Sequence, residues 1–248
     1  TVELCAGAWN FATLAASLVL PSRTTLRGAG RHQTRIVWPD GGGFALFASA
    51  AAGAVRASDI VLADFTVTGG FATSGPRGAY PFLLNAVDGL RISNVCSEYS
   101  RVMGFVARNC TDVHITGCIA RYCAIDGINM AQCSGVTIEG CTIEHCDDDG
   151  IAVHSDVFDP GGVRRSVVVA ANRLFDCQGI KVLAPRGTAI IGNTIDCCRT
   201  QGISFATVAP SGTLIEGMAA AMASWLARPR PAATELTTKI AGVKVRVL

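Results

Sequence analysis

The chain has 248 residues, of which 50% are hydrophobic and 16% charged, with 27 glycines and a formal net charge of +2. That composition excludes a disordered chain, and the length supplies one substantial core. Near charge balance, with no basic stripe interleaved with aromatics, gives no reason to expect a nucleic-acid partner.

The opening TVEL reads as a strand, and because the first residue is Thr1, the expectation is a start inside a longer product or behind a removed leader. Towards the N-terminus stands LVLPSRTTLRGAG (18–30), followed by TRIVW (34–38). Gly28 and Gly30 begin a dinucleotide-type glycine pattern, but Gln33 stands where its third glycine belongs and no strand-helix-strand order follows. The apolar runs 44–55 and 217–227 fall short of the ~20 residues of a membrane span, so no membrane partner is expected.

From Leu90 to Gly212 the chain repeats itself roughly every 23 residues. Superposed units put Ile92, Ile115, Ile138, Val169 and Ile190 in one apolar column, and Phe105, Ile128, Ile151, Ile180 and Ile203 in another. Gly104, Gly127, Gly150, Gly179 and Gly202 precede the second column, which predicts a bend whose backbone conformation a side chain would resist. Alternation such as Val136, Ile138 and Ile151, Val153 is the period of a strand with one buried face. Coils this short must stack at about 4.8 Å to share a core, which predicts an all-β, right-handed parallel β-helix. A leucine-rich horseshoe would need helical spacing and a leucine signature, and leucine is scarce between 91 and 173. The β-helix domain is expected over 1–208. Residues 209–248 are expected to form a C-terminal cap or tail, with a short helix at 217–227 and one alternating strand, KIAGVKVRVL.

Eleven cysteines include a column of Cys123, Cys146, Cys177 and Cys198, with Cys118 over Cys141 and Cys110 over Cys133. Adjacent coils bring such residues within disulfide reach, yet in-register side chains point in parallel, so buried, core-filling thiols are expected. No cysteine or histidine spacing matches a zinc site.

Outward-facing positions then gather Asp126, Asp148, Asp149, Asn129, His154, Lys181 and Arg108 into one patch, with Met103 and Gln178 on neighbouring coils and Asp147 at the edge. Stacked carboxylates raise one another's pKa and leave an acid beside a base, the raw material of glycosidic hydrolysis. Asp126, Asp148 and Asp149 are therefore the candidate catalytic residues. Arg108, Asn129, His154, Gln178 and Lys181 are the candidates for substrate binding. Direct stacking suggests a carboxyl separation nearer the retaining than the inverting range. Asp before Gly also serves as an ordinary turn residue, and Asp147, Asp148 and Asp149 together form a weak calcium locus; otherwise no metal or cofactor is expected.

The entry segment LVLPSRTTLRGAG resembles the opening coils of the pectate-lyase-like β-helix superfamily. IDGIN (125–129) and DDGIAVHS (148–155) are similar to the N-T-D-G-I-D and D-D-C-I-A-I-x-S motifs of polygalacturonases, inverting hydrolases. The resemblance implies Asp148 as general acid and Asp126 with Asp149 as the pair that activates water, with Lys181 where substrate carboxylates bind. It also implies an extracellular or cell-surface location and a polysaccharide partner. Ala124 departs from the family's asparagine and Gln178 from the histidine of its G-H-G motif. Two further readings remain: a polysaccharide lyase or uronate epimerase, overhung by a loop at 156–166 carrying Arg164 and Arg165, and a non-catalytic glycan-binding β-helix of tailspike or adhesin type.

Overall fold

A computed structural model describes residues 1–11, 13–38, 44–49, 56–69, 80–154, 165–183 and 186–206, together with strands Leu236–Ile240 and Val243–Val247. The expected helix at 217–227 lies outside the described residues, as does the loop at 155–164 with Arg164. Arg165 is described only as the first residue of strand Arg165–Ala170.

Alternating apolar residues make short strands, and three parallel sheets of eight strands form from them. Each coil contributes one strand to each sheet, as in Thr111–Thr116, Ile119–Cys123 and Ile128–Ala131, followed by Ser134–Glu139, Thr142–Cys146 and Ile151–His154. The chain is a right-handed parallel β-helix, and its columns pair as the repeat predicts. Ile92, Ile115, Ile138, Val169 and Ile190 are successive partners in the first sheet. Phe105, Ile128, Ile151, Ile180 and Ile203 are successive partners in the third. Because the side-chain period is two, a one-residue slip would turn every inward isoleucine to solvent, so burial itself fixes the register. Towards the N-terminus larger rings fill the same space: Phe82 stacks on Phe47 at 5.5 Å and on Phe105 at 5.0 Å.

The glycine column has a different cause from the one expected. Among these five glycines only Gly179 has a positive φ, +89°. Gly104, Gly127 and Gly150 are needed for space, whereas Gly202 has room to spare: a Cβ on Gly127 would sit 2.6 Å from Ile143 Cγ2 and 2.7 Å from the Gly150 carbonyl oxygen. On Gly150 a Cβ would sit 2.6 Å from Leu174 Cδ2. The left-handed corners are instead taken by residues with side chains, among them Asn94, Asn109, Asp112, Tyr122, Gln132 and His145, with φ between 51° and 56°.

The cysteine columns face inward, except that Cys198 at the end of the longest is only partly buried. Cys96, Cys110, Cys118, Cys123, Cys133, Cys141, Cys146 and Cys177 are buried and free, whereas Cys5 and Cys197 are exposed. Burial pushes the Cys96 and Cys177 thiols up to about 11, which keeps them protonated and unreactive. At the C-terminus the single strand expected over KIAGVKVRVL is divided: Leu236–Ile240 and Val243–Val247 pair antiparallel, with Ile240 opposite Val243. Among the described residues no helix is long and apolar enough to cross a membrane.

Two outcomes follow from this packing. Gly127→Ala should lower stability by about 1–3 kcal/mol through overpacking, while Gly202→Ala, whose Cβ would meet nothing within 4 Å, should leave the urea midpoint unchanged. Equal midpoints for the two variants would remove the steric account of the column. Under native conditions a thiol reagent should modify exposed Cys5 rapidly, exposed Cys197 more slowly because the Asp196 carboxylate raises its thiol pKa, and the eight buried cysteines only after denaturant is added. Mass spectrometry of labelled peptides reads the difference.

Candidate functional site

Successive coils deliver the acidic residues to one place, the turn that leads from the second sheet into the third. Asp126 lies between strands Ile119–Cys123 and Ile128–Ala131, and Asp148 and Asp149 lie one coil later, between Thr142–Cys146 and Ile151–His154. Backbone hydrogen bonds lock the two turns together, with Gly104 N–H donating to the Asp126 carbonyl and Gly127 N–H to that of Asp149, both at 3.0 Å. On the outward face of the third sheet Asn129, Ala152 and Lys181 are successive partners, and so are Arg108, Ala131 and His154. The small Ala152 lets Lys181 fold back over it, so that Nζ comes within 3.3 Å of Asp149 Oδ2.

These side chains line a cleft of about 530 Å³ that holds Asp126, Asp148, Asp149, Asn129, Arg108, His154 and Lys181. One carboxylate oxygen from each of Asp126, Asp148 and Asp149 lies within 4.8 Å of the other two. Asp126 and Asp149 are only 3% and 5% exposed, and Asp148 is half-buried. Asn129 Nδ2 donates to Asp126 Oδ2 at 2.7 Å, and Asp149 N–H donates to Asp126 Oδ1 at 3.2 Å. The second bond is the turn-capping role expected of an aspartate before glycine, here made between coils instead of within one.

Burial, helped by the negative charges of Asp149 and Asp148, pushes the Asp126 carboxyl up to about 6, against the opposing hydrogen bond from Asn129. Burial also raises Asp149, although the Lys181 ammonium beside it favours its ionised form. Two deep carboxyls are therefore fixed by donors, and the third, Asp148, stands nearest to solvent.

Gln178 and Asp147, both expected at or beside this patch, turn elsewhere. Gln178 follows Cys177 in a turn two residues shorter than the one between Cys146 and Gly150. Its N–H donates to the Asp148 carbonyl at 2.9 Å, its side-chain Oε1 accepts from Thr200 Oγ1 at 3.3 Å, and it is not among the residues lining the cleft. Asp147 points away from Asp148 and pairs with Arg199 Nη1 at 2.9 Å. The calcium locus expected over the run 147–149 is thus divided, because consecutive residues in a turn fan outward. The oxygen cluster that could hold a cation is Asp126, Asp148 and Asp149, with the Lys181 ammonium already against one of its members.

Asn109 and Gln132 also line the cleft and escaped the column reading. Both lie one residue beyond a strand end in the left-handed region, where strand alternation no longer reports which way a side chain faces.

Among solved structures, the chain is similar to ORF18 of Geobacillus virus E2, with a TM-score of 0.57, 13% identity and coverage of 84% of this chain and 45% of that one. It is similar to the N-terminal fragment of bacteriophage Phi29 gene product 12, with a TM-score of 0.56, 18% identity and coverage of 84% and 37%. It is also similar to the catalytic unit of a thermostable GH87 alpha-1,3-glucanase from Streptomyces thermodiastaticus strain HF3-3, with a TM-score of 0.55, 17% identity and coverage of 82% and 36%. The chain spans less than half the length of each, and at such identities the likeness is one of fold. No curated protein matches. The family model described as "Right handed beta helix region" matches residues 79–216, more than half of the chain and the same coils whose columns stack in the structure; the chain belongs to that family.

Proposed function

We propose that the chain acts on a polysaccharide and hydrolyses its glycosidic bonds at the Asp126, Asp148 and Asp149 cluster. The observation that carries this reading is the convergence of three carboxyls within 4.8 Å in an open cleft, with Asp126 raised to about 6 by burial. Hydrolysis needs one carboxyl to give a proton to the leaving oxygen and another to take one from water or attack the sugar. Asp148 is the most exposed of the three and can reach a chain lying in the cleft, so it serves as the acid. Asp126 and Asp149 sit deeper, each held by fixed donors, with lone pairs left to take a proton from water or attack the sugar. Arg108, Asn129 and His154 then contact sugar hydroxyls. The alpha-1,3-glucanase among the structural neighbours supports a glycan reading and makes α-1,3-glucan one test substrate.

The roles have distinct consequences. On α-1,3-glucan and polygalacturonate, release of reducing ends should fall at least about 100-fold in Asp126→Asn, Asp148→Asn and Asp149→Asn alike. An ultraviolet-absorbing unsaturated product would assign the site to a lyase, and retention of glycan without cleavage would assign it to a binding protein. Because Asp126 must be ionised to accept a proton, kcat/KM should decline as pH falls through about 6.

Stability carries the same group in the opposite sense. Between the ordinary 3.8 and about 6, the folded chain holds a proton on Asp126 that the unfolded chain has released, so stability decreases as pH rises across this window. The loss above pH 6 is on the order of 2–3 kcal/mol. Asp126→Asn should flatten that slope and make the protein at least as stable as wild type at pH 7, as urea denaturation at pH 4 to 7 would show. An unchanged slope in the variant would contradict the raised carboxyl.

A further inference from the structure

On the other side of the same turn lies a second hollow, of about 260 Å³, lined by Tyr122, His145, Asp147, Asp176 and Arg199 above Cys123 and Ala124. We propose that it is a distal subsite, taking a neutral, hydroxyl-rich sugar unit of the polysaccharide whose neighbouring units occupy the carboxylate cleft. This inference rests on the glycan reading of that cleft.

The two hollows are adjacent through the covalent chain. Ala124 and Asp147 face one, while Ile125, Asp126, Asp148 and Asp149 face the other, so consecutive Cα atoms about 3.8 Å apart divide them. A polymer crossing this turn passes from one hollow to the next.

The hollow is assembled before any ligand arrives. Arg199 spans two coils, with Nη1 at 2.9 Å from Asp147 Oδ1 and Nε at 2.8 Å from Asp176 Oδ1. His145 Nδ1 lies 2.9 Å from Asp176 Oδ2. Tyr122 and His145 stack at 5.0 Å with ring planes 7° apart, and Tyr99 continues the stack at 4.9 Å from Tyr122, so the aromatic wall has one orientation. Side chains fixed by one another lose little further freedom when a ligand binds. Each carboxylate keeps unused lone pairs for sugar hydroxyl donors.

Charge decides the class of sugar. Two carboxylates face one guanidinium, and the hydrogen bonds from Arg199 and His145 hold the Asp176 carboxyl well below the usual range. With no surplus positive charge, the hollow repels a uronate and accepts a neutral unit.

The test uses the full chain carrying Asp148→Asn to prevent turnover, titrated with α-1,3-linked glucose oligomers of two to six units while backbone amide shifts are followed by NMR. Oligomers of four or more units should shift the amides of Asp176 and Arg199 as well as those of Asn129 and Gln132, and bind about tenfold tighter than the dimer, one added hydrogen-bonded contact's worth. Adding Asp147→Ala, at an exposed position, should abolish that gain and leave dimer affinity intact. Arg199→Gln should do the same, with the thermal midpoint confirming that both variants fold. If the oligomers shift only the amides of the carboxylate cleft, or if the length-dependent gain survives both variants, the subsite is overturned while the glycan reading stands. Tighter occupation of the hollow by galacturonate oligomers overturns the charge argument and with it the neutral class. Failure of glucose and galacturonate oligomers alike to shift either region overturns the glycan reading and the subsite together.

Discussion

The three sheets and the acidic cleft of this protein depend on in-register parallel stacking of coils. A single coil contributes three short strands and a handful of inward aliphatic side chains, too little apolar burial to offset the entropy of ordering its backbone. Hydrogen bonding to the coil above and the coil below changes that balance, since each isoleucine or cysteine then packs within its coil and along its column. The same stacking makes neighbouring positions in space out of residues about 23 apart in sequence, as Ile128 over Ile151 and Arg121 over Glu144 show. Small irregularities in one coil are therefore felt in the next. The glycine column illustrates the constraint: Gly127 and Gly150 approach the following coil so closely that a methyl group has no room, although their backbone torsions would tolerate one.

The acidic cluster is a consequence of this geometry. Stacked turns place Asp126 and Asp149 against each other, and repetition, which elsewhere gives stability, here brings like charges together out of water. Such an arrangement raises the energy of the folded state near neutral pH, and the donors around it, Asn129, the Asp149 N–H and Lys181, compensate in part. A chain free to choose turn residues for stability alone would not bury two of three converging carboxyls. The cost is physical support for reading the cluster as a site instead of as ordinary strand ends.

One turn also divides two environments. On one flank the carboxyls are deep and only partly compensated, with Asp126 close to its titration point. On the other flank Asp147 and Asp176 are locked in ion pairs with Arg199. Adjacent aspartates thus acquire different chemistry from the direction in which the turn aims each one. Pairing with cations is incomplete on the first flank and extensive on the second.

The repeat alone determined the architecture, because strand alternation and a constant period have one stacking solution, and the columns of Ile115 and Ile128 kept their register in three dimensions. It also brought Asp126, Asp149, Asn129, Arg108, His154 and Lys181 to one face, since those residues lie in or next to regular strands whose direction the period reports. Where the period breaks, strand alternation no longer reports which way a side chain faces. The shorter turn at Gln178 carried that side chain to Thr200, the three consecutive aspartates fanned apart, and Asn109 and Gln132 entered the cleft from left-handed corners. Only the tertiary structure decided these directions, along with the raised carboxyl of Asp126 and the Arg199 network. Turn direction, burial and pairing depend on which atoms of neighbouring coils fill the surrounding space, and a one-dimensional period does not encode that.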